Sequence, residues 1–176
     1  TCFDVAEYFL AKTDEDAGDA ISNLKLQKLV YYAQGFCLAM TDDLLEKKIE
    51  AWQHGPACPE LYHLYKDTGT LGIPAPECID FSKFSAEDSA LVDEVYDVYG
   101  QFSAWKLRNM THEEDPWKNT PIGSEITQAS MESFFKGRLN GKHIQTIQPN
   151  QQAPQAVHRE PLPKECVPVR DEVSLP

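Results

Sequence analysis

Ser22 to Met40 reads SNLKLQKLVYYAQGFCLAM. Within it Leu26, Leu29, Val30, Ala33, Phe36, Cys37 and Met40 recur at steps of three and four, the spacing that gathers apolar side chains on one face of an α-helix. Ser22 offers a side-chain oxygen to the unpaired N–H groups of the first turn. So heavy an apolar face needs partners along its whole length, and the flanking sequence supplies further helices.

Upstream, Asp4 with Glu7 marks a helix start whose inward face is Val5, Tyr8, Phe9 and the stem of Lys12, followed by an acidic connector from Asp14 to Asp19. Downstream, Pro59 opens a short helix with Leu61, Leu64 and Tyr65 inward, ending at Gly69, and Leu71 to Pro76 reads as a loop. Ser85 and Asp88 cap a helix that carries Leu91, Val92, Val95, Val98, Tyr99 and Phe102 to the core. Ser103 caps a continuation to Met110, and Asp115 before Pro116 begins a short helix containing Trp117. The last helix, Thr127 to Leu139, turns Met131, Phe134, Phe135 and Leu139 inward and stops at Asn140 and Gly141. Strand signals are weak, confined to Ile49–Trp52 and His143–Ile147. The expected fold is mostly α: a compact helical domain over 1–148 with at most short strands.

From Pro149 to Pro176 the chain holds six of its 12 prolines and none of its aromatic residues, so it cannot build a core of its own. The expectation for 149–176 is an extended Pro-rich tail. The 28 acidic residues against 16 basic ones leave a formal charge of -12, which disfavours direct contact with a nucleic-acid backbone or an anionic membrane surface. No run approaches the roughly 20 apolar residues of a membrane helix. The five cysteines are odd in number, widely spaced and free of C-x-x-C pairs, which reads as reduced thiols of a cytoplasmic protein.

Two segments concentrate side chains capable of chemistry. Trp52-Gln53-His54-Gly55-Pro56 places an aromatic ring, an imidazole, a permissive Gly and a rigid Pro at a junction between a loop and a helix, where ligands are often met. Thr111 to Trp117 puts His112 among Glu113, Glu114 and Asp115, which either raises the His112 pKa for acid–base work or simply starts a helix with acids at its positive end. No nucleophile elbow, phosphate loop or metal-binding His pair accompanies them, so neither a catalytic residue nor a cofactor or metal is expected. A third feature is the acidic stretch Glu77 to Asp97, with seven acids and one lysine, of which Asp93, Glu94 and Asp97 lie on the outer face of a helix. It is either a solvated face or a docking surface for a basic partner.

Taken together, Asn23 to Gly35, Ala51 to Tyr62, and Leu107, Thr111-His112 and Pro116-Trp117 resemble the Panacea family of antitoxin domains, the SocA-like group also found among phage-associated proteins. The sequence departs from the family at Ala57, where Val is usual, and the tail lies outside the resemblance. The resemblance implies an antitoxin that neutralises a cognate toxin, often an inhibitor of translation, by direct protein contact without catalysis. Its alternatives are an adaptor that hands the toxin to a protease and a His/carboxylate enzyme that reverses the toxin's product. Homo-oligomers are open, and neither nucleic acid nor membrane is expected as a partner. The expected partner-binding residues are Lys28, Trp52, His54, Gly55, Pro56, Asp93, Glu94, Asp97, His112 and Trp117.

Overall fold

A computed structural model describes residues 1–13, 20–40 and 47–145, and the fold is mostly helical with a few short strands. The expected connector at 14–19 and the expected tail at 149–176 lie outside the described residues.

Helix α1 (Cys2–Ala11) starts under Thr1, whose hydroxyl accepts from the Asp4 N–H while the Asp4 carboxylate accepts from Thr1. Its start therefore lies upstream of the Asp4–Glu7 pair expected to mark it, because Asp4 occupies the third helical position and not the cap. Val5, Tyr8 and Phe9 are buried as expected.

Helix α2 (Asn23–Met40) departs from the one-sided burial its spacing predicts. Asn23, Lys25, Gln27, Lys28 and Gln34 are buried along with the apolar residues. Helices α7, α4, α5 and α1 pack around it, leaving little of its surface for water. The closest approach is at Gly35, where a Cβ would stand 2.0 Å from a ring carbon of Phe135 in α7. Tyr32 stacks on Tyr99 with ring centroids 3.7 Å apart, and Phe36 meets Phe135 edge-on at 4.7 Å. Each such buried aromatic side chain stabilises the fold by roughly 2–3 kcal/mol.

Strands β1 (Glu50–Trp52) and β2 (Gly55–Ala57) form an antiparallel hairpin in which Trp52 faces Gly55 across the turn. Its outer edge is covered, since Ala51 N–H donates to Ser124 O at 2.9 Å and Gly123 N–H to Ala51 O at 2.7 Å. Helix α3 (Pro59–Tyr65) runs on in a 3-10 turn and ends at Gly69, which has φ of 60°. It meets the core through α2, so only Leu61 is buried; Tyr65 is half-buried and Leu64 is exposed, against expectation.

Helix α4 (Ala86–Tyr99) carries the expected Ser85–Asp88 capping box, and α5 (Ala104–His112) is capped by Ser103. Helix α6 (Asp115–Lys118) has Glu114 at its cap where Asp115 was expected, and the Glu114 side chain makes no capping bond because it turns inward. Helix α7 (Gln128–Lys136) is shorter than expected: Leu139 leaves it for β3 (Leu139–Asn140), which pairs with β4 (His143–Ile144) around Gly141. The two weak strand signals thus each pair with their own neighbour. Cys2 and Cys58 are thiols with sulfurs 3.8 Å apart, whereas Cys78 is disulfide-bonded, so five reduced cysteines are not what the fold contains. No helix among the described residues is long and apolar enough to cross a membrane.

Candidate functional site

Three segments distant in sequence meet at one end of α2. The Lys28 Nζ donates to the Pro56 carbonyl at 2.6 Å, fastening α2 to β2. Gln27 accepts from the Cys58 N–H at 2.8 Å and donates to Asn23, whose amide in turn donates to the Tyr62 carbonyl at 3.1 Å. Trp117 of α6 donates its indole N–H to the Trp52 carbonyl at 2.9 Å. Between these bonds sits Gly55, with φ of 95°, where a Cβ would lie 2.7 Å from Thr111 Oγ1 and 3.0 Å from Lys28 Nζ. Glycine meets both demands, the left-handed backbone and the missing side chain.

The family model for the SocA-like antitoxin Panacea domain matches residues 26–118, more than half of the chain. The chain belongs to this Panacea family. No curated protein and no solved structure matches it. The segments that carry the family pattern are thus the ones that converge on the Lys28–Gly55–Trp117 knot.

Lys28 and Gly55 of this knot line a cavity of about 500 Å³. Its walls are Trp52 and Tyr62, in edge-to-face contact at 4.9 Å, and His54 and Trp105, likewise edge-to-face at 6.0 Å. Leu24 and Ile122 add apolar surface, and Lys66 stands on the lining as a second cation. Among the described residues no carboxylate lines the cavity. Among the described residues no cluster of His, Cys, Asp and Glu has the makings of a metal site.

Lys28 is the unusual member of this Panacea site. Its side chain is 1% exposed and has no ion-pair partner among the described residues. Burial, with the like charge of Arg108 added, pushes its pKa down to about 7. The pKa of His112 is lowered as well, by burial first and then by Arg108 and Lys28, so the sequence-level possibility of a raised value is corrected: Glu113 acts the other way but is outweighed. The imidazole stacks on Trp117 at 3.7 Å, and its Nε2 has no hydrogen-bond partner. Behind it Glu114 is buried and accepts from the Tyr32 hydroxyl at 2.9 Å, and burial raises its pKa to about 7.

Of the expected site residues, Lys28, Trp52, His54 and Gly55 line the cavity. Pro56, His112 and Trp117 brace it from behind through the contacts above. Asp93, Glu94 and Asp97 lie apart from it on α4. Asp93 accepts from the Tyr8 hydroxyl at 2.9 Å and pairs with Lys12 at 2.5 Å, while Glu94 accepts from the Ile144 N–H at 2.9 Å and faces His143. Those two carboxylates hold the fold's own elements together. The sequence reading missed Trp105 and Ile122, each 60% exposed. Trp105 had a legible signal, a large aromatic beside Lys106 in a helix whose inward residue is Leu107.

Proposed function

We propose that this Panacea domain is an antitoxin that neutralises its cognate toxin by direct protein contact, and that the contact is made by the rim of the cavity. Family membership supports a role connected with a toxin, and the single observation that carries the location is the exposed apolar rim. Trp105, Ile122 and the 37% exposed Tyr62 surround one concavity. Soluble domains rarely leave such a grouping in water, and Trp and Tyr at the centre of an interface contribute most of its energy. The lysines and the lack of carboxylates in the lining suit a partner that brings acidic or aromatic groups there. Given what Asp93 and Glu94 already hold, the α4 face is the weaker candidate for contact. The toxin's target is left open; inhibition of translation is what the family resemblance favours.

The test is rescue of growth in cells producing the toxin encoded beside this chain. Trp105→Ala and Ile122→Ser, both at exposed positions, are expected to abolish rescue while leaving the protein's abundance and melting temperature unchanged. Full rescue by the double variant at native abundance would contradict the location.

A further inference from the structure

The cavity interior poses a separate chemical question from its rim. Lys28 carries three possible N–H donors, and one of them is used, on Pro56 O. The Lys28 amine is buried without a counter-ion among the described residues, and the charge acting on it, Arg108, opposes its protonation. An uncompensated buried cation is costly, so an occupant that brings an anion is strongly favoured at this place. Trp52, Tyr62 and Trp105 line the cavity, and flat rings pack edge-on or stacked against such side chains. A volume of about 500 Å³ suits a small molecule with one or two rings and a single acidic group. Gly55 keeps the space over Lys28 clear, since any Cβ there would fill it.

We propose that the cavity beside Lys28 binds a small planar aromatic anion, a flat ring bearing a phosphate or a carboxylate, with the ring between Trp52 and Trp105 and the anion against Lys28 Nζ. The site goes beyond the toxin contact and does not depend on it. Lys66 on the lining supplies a second cation to the same anion. Among the described residues, the charged and titratable groups acting on Lys28 are Arg108 and His112 of α5, and His54 of the hairpin turn shares the cavity lining with it; none of the three is acidic.

The experiment titrates the full chain with AMP and UMP as phosphate probes and with indole-3-acetate and 4-hydroxybenzoate as carboxylate probes, following tryptophan fluorescence and heat. Adenosine and indole serve as uncharged controls. At least one anionic probe is expected to saturate, with its neutral counterpart about tenfold weaker or worse. The arm that saturates identifies the acidic group. At a pH of about 8 binding should take up a proton, seen as a heat that depends on the buffer, because the anion favours the charged ammonium. Lys28→Met, checked for a cooperative melt no lower than that of wild type, and the exposed Lys66→Ala should each weaken the same probe, the first by about tenfold or more. Absence of saturation by every probe up to roughly 10 mM would overturn the proposal. Unchanged affinity in a folded Lys28→Met protein would do the same. Either result leaves a stoichiometric toxin complex untouched, so the two readings fail separately.

Discussion

Lys28 Nζ and the Pro56 carbonyl oxygen, 2.6 Å apart, tie the central helix to the hairpin that precedes α3. The bond holds an almost wholly buried amine at the lining of the cavity, and most of the measurable consequences follow from that.

Lys28→Met should stabilise the protein. The folded pKa of Lys28, about 7, lies below the ordinary lysine value of 10.5, so between those pH values the unfolded chain binds the extra proton. Stability from this group therefore rises with pH across that window and is penalised below it. Removing the amine relieves the penalty but leaves Pro56 O without its donor, for a net gain of about 1–2 kcal/mol at neutral pH. Urea unfolding at pH values of about 7 and 10 checks it: the advantage over wild type should shrink at the higher pH. A variant less stable than wild type near neutrality would contradict this account of Lys28.

Glu114→Gln tests the other buried titrating group. The folded pKa is about 7 against an ordinary 4.5, so here the folded state holds the proton more tightly. The contribution is present below 4.5 and is lost as pH rises through 7. Wild type should lose up to about 3 kcal/mol from this source between those values, while the variant keeps an acceptor for Tyr32 and shows a flatter profile. Parallel profiles for the two proteins would refute it.

Gly55→Ala should destabilise by about 2–3 kcal/mol, because the left-handed backbone and the crowding against Thr111 and Lys28 act together. Thermal unfolding reads it directly, and a change of less than about 0.5 kcal/mol would show that the turn has room to relax.

Gly35→Ala should cost a similar amount by forcing α7 away from α2, since the new methyl would overlap the Phe135 ring. Pairing it with Phe135→Leu should recover part of the loss, giving a coupling of roughly 1 kcal/mol or more in a double-mutant cycle. Simple additivity of the two changes would place the strain elsewhere.

Much of the helical order was legible because local chemistry decides it: Ser85 with Asp88 and Ser103 cap the helices they were expected to cap, and Thr127, expected to begin the last helix, caps it. The all-round burial of α2 was not legible, since Lys25, Lys28 and Gln34 look like a solvated face until the surrounding helices are laid over α2. For the same reason Asp93 and Glu94 read as free surface charge, their partners Lys12, Tyr8 and Ile144 being far away in sequence. The site was half legible. His54 and Gly55 stood out as a turn, but Trp105 and Ile122 join it only through the packing of α5 and of the segment that covers β1.

The central claim is stoichiometric contact through the cavity rim, and calorimetric titration of this chain with the toxin encoded beside it tests that most directly. The account predicts a saturable complex at a fixed molar ratio, weakened by at least about 2 kcal/mol, some thirtyfold in Kd, in Trp105→Ala with no loss of folding. Equal affinity for wild type and Trp105→Ala, or rescue of cells with no complex at all, would contradict it.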